Sequence, residues 1–430
     1  MPACSLTPKT LYPVFPNEIR NFLVTRLFSY ATRINMKSPV IESTVISDYN
    51  RKLGQRRKCA QFDPPLFADL VLTPLSRRPL RLPDETIRSV LDAPVPVKLP
   101  SSVGKVTSDN CKRVSIIIVT FNNLVITKLC LSSLLANTDY PDYEVIVVDN
   151  ASDEDTVSYL KKVSRLHSNV KVIFNACNLG FAPANNQGLK VASGEILVLL
   201  NNDTIVPSRW LASLVNHLED QSIGLLGPVT NRIGNEAEIE TSYRTYGEMM
   251  EFARNYTLRH SGETFEIPML CMFCFAMRRD VYERLGQIDE QYEIGMLEDD
   301  DYSMRARRAN YRVVCTEDVF VHHFGQASFG SLFASGEYGR LLEANQRRFE
   351  EKWGIKWQPY GRRLSARYFQ NYQRVHKAIM EVIPAGANVL VVSKGDEELI
   401  RLNEVCSFHF PQNESGEYAG YYPAYSPLSF

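Results

Sequence analysis

From Val114 onward, short apolar runs alternate with amphipathic stretches. Val114–Thr120 (VSIIIVT) is a continuous β-branched run, typical of a strand buried on both faces. Tyr143–Asp149, Val170–Phe174 and residues 195–200 repeat the pattern, with helical patterns between them. Strands that alternate with helices specify an α/β fold with a mostly parallel sheet flanked by helices.

Helical patterns separate these strands and follow the last one. Helices are expected over residues 126–136, 157–166, 184–192, 208–218, 337–353 and 372–383, and further strands over residues 311–315 and 388–393. Ser152 and Asp155 are spaced as a capping box ahead of the second helix. Pro207 suits the first turn of the fourth helix, where a missing N–H is tolerated.

The chain outside this region is less regular. Residues 1–110 contain many prolines, a weakly helical patch over residues 17–33 and a basic run over residues 51–58, which indicate an irregular extension and linker. The basic run suits either a solvated surface or contact with an acidic partner or anionic lipid. Residues 111–360 are predicted to form the α/β domain. Residues 361–430 predict a helical segment and a short, incomplete α/β appendage.

Bulk composition argues against some classes of protein. A formal net charge of -1 over 430 residues disfavours a nucleic-acid binder that works through bulk electrostatics. The nine cysteines are scattered and odd in number, which predicts reduced thiols. Cys271 and Cys274 form a close pair, but without a second pair they indicate buried strand thiols more than a metal site.

Signals for the membrane and the secretory route are weak in this sequence. No run approaches the roughly 18 apolar residues of a membrane span. Arg20 and Arg26 interrupt the apolar residues near the N-terminus, which disfavours a signal peptide. Asn150 and Asn202 begin glycosylation sequons inside segments expected to be buried or catalytic, where a glycan would do harm. We therefore expect a cytoplasmic protein, soluble or peripherally associated with a membrane.

Short polar residues follow the predicted strands. In open α/β sheets, ligands bind beyond the carboxyl ends of the strands, so these residues are the candidate site. They are Thr120, Asn122, Asp149, Asn178, Gly180, Asn202 and Asp203. No G-x-G-x-x-G motif follows the first strand and no Walker A loop is present, which argues against a dinucleotide-binding domain and a P-loop. The sheet is therefore predicted to bind a nucleotide in another way.

Asp203 is the natural metal ligand in this set. A hard divalent ion such as Mg²⁺ or Mn²⁺ needs few protein carboxylates when a diphosphate supplies other oxygens. The structural alternative is an ordinary Asn-Asp turn capped by Thr204. His322 and His323 follow a later strand and add imidazole groups that suit a metal shell, although histidines at strand ends are commonly structural.

Four consecutive acids form the second acidic segment, Glu298, Asp299, Asp300 and Asp301. Acidic residues are common in the first turn of a helix, and Asp301 with Arg305 is spaced as an ordinary surface ion pair. Four adjacent acids nevertheless repel one another, and one or two would satisfy the helix end. At least one is expected to serve in proton transfer or metal binding.

The order of the segments points to a family. The blocks VSIIIVTFNN, VIVVDNASDE, NLGFAPANNQG, ILVLLNNDT, RRDVYERLGQIDE, LEDDDYSMRARRANYR and VHHFGQASF occur in this sequence in that order. Together they closely resemble the family-two inverting glycosyltransferases with the GT-A fold. The resemblance covers roughly residues 112–360 and is strongest to the branch that contains rhamnosyltransferases and other O-antigen sugar transferases.

The resemblance implies a nucleotide site at the strand ends. Thr120 and Asp149 match positions that contact the base and ribose, and Asn178 with Gly180 matches the next loop facing the nucleotide. Asn122 and Asn202 are assigned to the same site. The donor expected from the family is a UDP- or dTDP-sugar. The acceptor is a hydroxyl of a glycan, glycolipid or glycoprotein.

The resemblance also implies catalytic roles. Asp203 matches the last acid of the DxD element, which binds the metal and the diphosphate, and His323 matches a histidine that reaches the metal in several members. The cofactor is Mn²⁺ or Mg²⁺. Asp299, in the Glu298-Asp299 pair, matches the catalytic base, and Asp301 with Arg305 matches a supporting pair. Acceptor contacts are expected in the second half of the domain, including residues 271–278 and 243–256.

One departure from the family pattern leaves an alternative open. Asn201 stands where many relatives have the first aspartate of DxD, so metal binding rests on fewer acids. This motivates a second hypothesis, a nucleotide-sugar-binding or scaffold protein without turnover, although the intact Glu298 and Asp299 argue against it. A nucleotidyltransferase would need a glycine-rich basic loop after the first strand, and TFNN is not such a loop.

Overall fold

A computed structural model of the chain describes residues 67–77, 80–96, 111–325, 332, 335–360, 366–384, 386–391, 398–402 and 405–409. These residues all fall in one compact unit, Pro65–Phe430. The helical patch and the basic run predicted for residues 17–33 and 51–58 lie outside the described residues. Among the helices in the described ranges, none has the length and apolar character required to cross a bilayer.

The described residues form strands and helices in regular alternation. The strands are β1 (Ser76–Arg77), β2 (Leu80–Arg81), β3 (Val114–Thr120), β4 (Tyr143–Asp149), β5 (Val170–Phe174), β6 (Ile196–Leu200), β7 (Thr204–Ile205), β8 (Ile223–Val229), β9 (Thr264–Glu266), β10 (Cys274–Arg278), β11 (Arg312–Phe320), β12 (His322–His323), β13 (Asn388–Val391) and β14 (Cys406–His409). The α-helices are α1 (Asp84–Asp92), α2 (Leu124–Asn137), α3 (Glu154–Leu166), α4 (Phe181–Val191), α5 (Trp210–His217), α6 (Tyr246–Arg259), α7 (Arg279–Leu285), α8 (Glu298–Arg308), α9 (Glu337–Trp353) and α10 (Ala366–Val382).

The main sheet has eight strands in the order β5-β4-β3-β6-β10-β8-β11-β9. Strands β5, β4, β3 and β6 pair in parallel, as do β8 and β11. Strand β10 runs antiparallel between β6 and β8, and β9 runs antiparallel at one edge. The predicted α/β fold with a mostly parallel sheet flanked by helices is confirmed.

The central strands β3, β4 and β6 are buried on both faces, as their largely apolar sequences predict. Every residue of β4 and β6 is buried. Ile117 belongs to the apolar core on one face of the sheet, whereas Ile116 and Ile118 belong to the core on the other face. Successive side chains of a strand point to opposite faces, so a strand between two helical layers must be apolar at every position.

Two predicted helix starts are wrong. Asp153, not Ser152, caps α3, because its Oδ1 accepts a hydrogen bond of 2.9 Å from the Thr156 N–H. The Ser152 hydroxyl instead accepts a hydrogen bond of 2.7 Å from the Asn122 N–H. Helix α5 begins only at Trp210, because Arg209 adopts a left-handed conformation with φ of 69° that interrupts the helix; Pro207 therefore lies outside its first turn.

The described part of the N-terminal segment wraps the α/β domain. Helix α1, which the sequence patterns did not predict, buries Thr86 and Val90. The chain before it is bonded to the start of α6, where the Leu72 N–H donates to the Arg244 carbonyl over 2.8 Å. The Tyr246 N–H donates to the Leu70 carbonyl over 2.8 Å in return. Residues 67–96 are therefore part of the folded unit.

The described C-terminal elements agree with most of the predictions. Helix α9 has the predicted bounds, and α10 begins six residues earlier than the predicted start at residue 372. Strands β13 and β14 pair in parallel, as a small α/β appendage requires. Strand β11 continues past the predicted strand over residues 311–315 and ends at Phe320, because its residues stay extended between β8 and β9.

Candidate active site

The carboxyl ends of the parallel strands meet at one edge of the sheet. β3 ends at Thr120, β4 at Asp149 and β6 at Leu200. β10 begins at the same edge, because Cys274 pairs with Leu200 in antiparallel register. The residues that follow or precede these ends form the candidate site, and they come from distant parts of the sequence.

The loops after β3 and β4 are joined by hydrogen bonds. Asn122 adopts a left-handed conformation with φ of 54°, and its Oδ1 accepts from the Asp153 N–H over 2.8 Å. Asp149 is fully buried, and its Oδ2 accepts from the Ser152 N–H over 3.2 Å. Its second oxygen, Oδ1, is buried without a hydrogen-bond partner. A buried carboxylate oxygen of this kind is expected to find a donor in a ligand.

The loop after β5 lies against the segment that precedes α8. Asn178 is exposed, and its Oδ1 accepts from the Gly180 N–H over 2.9 Å. Gly180 has φ of 91°, and a Cβ on it would lie 2.5 Å from the Glu293 carbonyl oxygen. The Phe181 N–H donates to the Ile294 carbonyl over 3.0 Å. The predicted nucleotide loop is thus packed directly onto the chain that leads to the acidic helix.

Thr120 and Asn202 meet in a buried network. The Asn202 side-chain amide donates to the hydroxyls of Thr120 and Thr127 over 3.2 and 3.1 Å, and the two hydroxyls lie 2.9 Å apart. All three side chains are buried. The network joins the ends of β3 and β6 and holds Asn202 beside Asp203. The predicted roles of Thr120 and Asn202 toward a nucleotide remain predictions.

Asp203 and His323 are brought together by a small antiparallel ribbon. β7 and β12 have two residues each, and His323 pairs with Thr204 in their register. As a result His323 Nε2 lies 3.2 Å from Asp203 Oδ1, and both side chains are buried. The Phe324 N–H also donates to the Asp203 carbonyl over 2.9 Å. The two predicted metal ligands are therefore neighbours.

The hydrogen bonds of His323 decide what its Nε2 can do. Its Nδ1 lies 2.9 Å from the Arg232 carbonyl oxygen, which only accepts, so Nδ1 carries a proton. In the neutral ring Nε2 is then an acceptor that faces the Asp203 carboxylate, and two acceptors at this distance need a proton or a cation between them. A backbone carbonyl that orients the far nitrogen is the usual arrangement of a metal-binding histidine. These two side chains fit a divalent cation.

The protein supplies few ligands to such a cation. Within the described ranges, no group of three or more His, Cys, Asp and Glu side chains is arranged to hold a metal ion. Asn201 occupies the position of the first acid, and its N–H donates to the Phe273 carbonyl over 2.8 Å. The remaining ligands would have to come from a bound diphosphate or water.

The four acids at the start of α8 separate into two pairs. Asp300 Oδ1 accepts from Trp357 Nε1 and from the Tyr360 hydroxyl, each over 2.7 Å. Asp301 is fully buried and forms ion pairs of 3.0 Å with Arg305 and 2.7 Å with Lys352. The second pair thus has structural partners, and the predicted link between Asp301 and Arg305 is present.

The first pair of acids lacks such partners. Glu298 is buried, and its Oε2 has no hydrogen-bond partner. Burial raises the pKa of Glu298 to about 7, and the Asp300 charge adds to the shift. Burial, followed by the charges of Asp300 and Glu298, raises the pKa of Asp299 well above its usual range. A carboxylate with a raised pKa is a stronger base, which is the property expected of a proton acceptor near neutral pH.

The segment before β10 connects the acidic helix with the Asp203–His323 pair. Cys271 lies close to Asp299, and burial, followed by the charges of Asp299 and Asp300, raises the pKa of the Cys271 thiol. The Phe273 ring lies nearly parallel to the His323 ring, with centroids 5.0 Å apart. Residues 271–273 therefore lie against both the acidic first turn of α8 and the Asp203–His323 pair.

Several residues of this site have no signal in the sequence patterns. Asn231 and Tyr360 were not predicted to lie at this site, and no prediction joined Trp357 to Asp300 or Cys271 to Asp299. Asn231 accepts from the His323 N–H over 2.8 Å and donates to the His323 carbonyl over 3.2 Å, which fixes the backbone of that histidine. The sequence placed acceptor contacts on residues 271–278, but Cys274–Arg278 is a fully buried strand, so only residues 271–273 reach the edge. The cysteines in the described ranges form no disulfide.

Residues 115–286 match the family model described as Glycosyl transferase family 2. O-antigen biosynthesis protein RfbC of Myxococcus xanthus is 29% identical over 231 residues, which are 50% of this chain and 18% of that protein. Glycosyltransferase AglE of Haloferax volcanii is 27% identical over 213 residues, which are 49% of this chain and 66% of that protein. The chain spans 25%, 34% and 18% of the lengths of the first three curated relatives that it matches.

Among solved structures, the mannosyltransferase PcManGT of Pyrobaculum calidifontis, in complex with GDP-Man and Mn²⁺, is similar at 22% identity, covering 60% of this chain and 74% of that chain with a TM-score of 0.40. The family match confirms the resemblance to family-two glycosyltransferases over residues 115–286, and the observed sheet agrees with the α/β fold expected from it.

Proposed function

We propose that this chain, whose residues 115–286 form a family-two glycosyltransferase domain, transfers a sugar from a nucleoside-diphosphate donor to a hydroxyl group with inversion. The donor is a UDP- or dTDP-sugar, and the acceptor is a glycan, glycolipid or glycoprotein. The observation that supports this most is that residues 271–273 contact both Asp299 and His323. A base and a cation-binding pair at one sheet edge are what such a transfer needs.

The nucleotide is proposed to lie over the ends of β3 and β4. The buried Asp149 Oδ1 lacks a partner and is suited to accept a hydrogen bond from the base or ribose. Asn122 and Asn178 shape the loops on either side, and Gly180 allows its loop to approach the chain before α8. These contacts bind the donor and exclude water from its diphosphate.

The diphosphate is proposed to lie beside Asp203 and His323, which would hold Mn²⁺ or Mg²⁺. Such an ion supplies a Lewis acid that neutralises the charge of the leaving diphosphate. The Arg232 carbonyl fixes the proton of His323 on Nδ1 and keeps Nε2 directed at Asp203. Asn202, bonded to Thr120 and Thr127, holds the loop that carries Asp203.

Asp299 is proposed to act as the general base. It takes the proton of the acceptor hydroxyl, and that oxygen attacks the anomeric carbon from the face opposite the departing diphosphate. The neighbouring Glu298 keeps negative charge close to Asp299 and helps to raise its pKa. One positioned carboxylate is sufficient for this reaction.

Ligand-dependent stability tests the proposal. The thermal stability of the full chain is measured with UDP, dTDP and GDP, with and without Mn²⁺, on wild type and on Asp203→Ala. A ligand at a hundred times its dissociation constant stabilises the fold by about 2.7 kcal/mol. We expect one nucleotide to raise the melting temperature only when both Mn²⁺ and Asp203 are present. Absence of any nucleotide effect would contradict the proposal, because a transferase must bind its leaving group.

A scaffold protein that binds nucleotide sugars without turnover is the second candidate. The small number of protein ligands near Asp203, with Asn201 in the first acidic position, favours it. Release of nucleoside diphosphate from the donor in the presence of a hydroxyl acceptor separates the two candidates. Binding of the donor without such release, over a panel of acceptors, would favour the scaffold.

A further inference from the structure

A cavity of about 150 Å³ adjoins the candidate active site on the side away from the nucleotide loops. Its lining includes Thr73 and Arg77 of the N-terminal segment, together with Asn231, Tyr243, His322 and His323. The nucleotide loops follow β3, β4 and β5, whereas Asn231 follows β8 and His322 follows β11, on the other half of the sheet. His323, which lies against Asp203, is therefore on the boundary between the two regions.

One wall of this cavity comes from outside the matched domain. Residues 72–77 precede residues 115–286, which match the family model. The wall is held in place, because Val71 forms a β-bridge with Thr245 and accepts a hydrogen bond of 3.0 Å from Thr86. The cavity is therefore a feature of this chain's N-terminal segment as well as of its transferase domain.

His322 gives the cavity an unused polar group. The side chain is buried, with 4% of its surface exposed, and its Nε2 has no hydrogen-bond partner. Its Nδ1 lies 2.6 Å from the Tyr243 hydroxyl, so Nε2 is a donor or an acceptor according to which of these two atoms holds the proton. A buried ring nitrogen left unpaired is costly, and His322 is one of the residues that line the cavity.

The chemistry of the lining suits a sugar ring. A hydroxyl group both donates and accepts, so it suits an imidazole nitrogen in either tautomer. The hydroxyl of Thr73 and the guanidinium of Arg77 are exposed at the cavity and offer further partners for ring hydroxyls. A cavity of about 150 Å³ is large enough for a six-membered ring in other proteins.

We propose that the cavity between residues 72–77 and His322 is a subsite for a hydroxylated pyranose ring of the acceptor. This subsite rests on the proposed function, because its ligand is an acceptor only if the chain transfers a sugar. The ring lies beyond His323 from the nucleotide, so it belongs to the molecule that receives the sugar. In this arrangement the N-terminal segment contributes directly to acceptor choice.

Binding of simple sugars tests the subsite without any donor. The probes are methyl pyranosides of glucose, galactose, mannose, rhamnose and N-acetylglucosamine, and binding to the full chain is followed by saturation-transfer NMR. We expect at least one probe to bind the wild type. Thr73→Phe should abolish that binding by filling the cavity from its exposed side. Arg77→Gln should weaken it about tenfold, as expected for the loss of one hydrogen bond from a charged donor.

Matched controls use exposed residues of the same segment that do not line the cavity. Ser76→Phe adds the same ring near Thr73, and Arg81→Gln removes the same charge near Arg77. Both controls should bind the probe like the wild type. The subsite is refuted if no probe binds a wild-type chain that is stabilised by a nucleotide, or if Thr73→Phe binds as the wild type does.

A transfer assay then separates acceptor from donor. With the best probe as acceptor, Arg77→Gln should raise the KM for the acceptor about tenfold and leave the KM for the donor unchanged. A raised KM for the donor alone would assign the ring to the donor and overturn the proposal. Failure of the wild type to bind any nucleotide would instead refute the proposed function. The binding of pyranosides is measured without a donor, so the two failures can be told apart.

Discussion

The indole nitrogen of Trp357 lies 2.7 Å from Oδ1 of Asp300, the acid that directly follows the proposed base. Trp357 comes after α9, well beyond residues 115–286 that match the family model. A residue outside the matched segment therefore orients the first turn of α8. Since Asp299 precedes Asp300 on that turn, the position of the base depends on this hydrogen bond.

Trp357→Phe is expected to lower kcat about tenfold with little change in the KM for the donor. The substitution keeps the aromatic bulk and removes the N–H, which leaves the Tyr360 hydroxyl as the remaining side-chain donor to Asp300 Oδ1 among the described residues. Steady-state kinetics measures both constants. Trp353→Phe is the matched control, because Asp301 keeps Lys352 and Arg305 and should hold its place. Equal loss of kcat in the two variants would contradict a specific role for Trp357.

Asp299→Asn is expected to lower transfer by a factor of about 10²–10⁴ and leave nucleotide binding nearly intact. The amide cannot accept the proton of the acceptor hydroxyl, but it keeps the size of the side chain. Because the pKa of Asp299 is raised, wild-type kcat/KM should rise with pH through a value well above that of an ordinary aspartate. A pH–rate profile with donor binding measured in parallel checks both points. Joint loss of binding and transfer would point to a structural role.

His323→Gln is expected to weaken Mn²⁺ binding in the presence of the nucleotide by at least about tenfold. The variant removes Nε2, which faces Asp203 at 3.2 Å, and leaves a polar side chain of similar reach. Paramagnetic titration of free Mn²⁺ gives the dissociation constant. His322→Gln serves as the control, because His322 is bonded to Tyr243 instead. Unchanged affinity in His323→Gln would remove that residue from the metal site.

Glu298→Gln is expected to stabilise the fold at alkaline pH. An unfolded glutamate has a pKa of about 4.3, whereas burial raises the pKa of Glu298 to about 7. The folded state therefore prefers the protonated form, and its contribution is complete below about pH 4 and is lost as pH rises through about 7. Glutamine cannot ionise, so the variant should be more stable by about 3–4 kcal/mol at pH 8 and about equal to wild type at pH 4.

Urea unfolding at pH 4, 6 and 8 measures this difference for Glu298→Gln. Glu251→Gln, on the exposed face of α6, is the control and should show little change at any pH. The expected signature is a gap between Glu298→Gln and wild type that widens as pH rises. A gap that stays constant with pH would mean that the substitution changes packing and not ionisation.

Gly180→Ala is expected to destabilise the fold by roughly 2–4 kcal/mol. Gly180 has φ of 91°, and a Cβ there would lie 2.5 Å from the Glu293 carbonyl oxygen. Gly262→Ala is a matched control, because Gly262 has φ of 79° and nothing lies within 4 Å of its Cβ position. The control should cost only the backbone strain, about 1–2 kcal/mol. Denaturant unfolding of both variants isolates the contact with Glu293.

The strands could be predicted because burial on both faces requires an apolar residue at every position. β3 and β4 have the predicted bounds for this reason, and β6 differs by one residue. β5 also has the predicted bounds, although it lies at the edge of the sheet and exposes Lys171 and Phe174. The site residues at their ends could be located by the same logic. Helix starts were harder to predict, because Ser152 and Asp153 are both residue types that cap helices. Only the tertiary structure distinguishes them: the Ser152 hydroxyl accepts from the Asn122 N–H, and Asp153 accepts from the Thr156 N–H at the helix start.

The partners of the site residues could not be predicted. The ribbon that joins Asp203 to His323 has two residues on each side, too few for any periodic pattern. The bond from Trp357 to Asp300 and the contact of Cys271 with Asp299 join segments that are distant in sequence. Such pairs depend on how the chain returns to the sheet edge, and a single sequence contains no local signal of that return.

The site residues are spread over a long part of the chain, and this determines how short a fragment can be and still contain the whole site. Thr73 lines the cavity at one extreme and Tyr360 bonds Asp300 at the other. A fragment cut to residues 115–286 would lack α8, β12 and the aromatic residues that orient the acidic turn. The smallest expressible unit that keeps the site whole therefore extends on both sides of the recognisable domain, and deletion mapping should begin from residues 67–360.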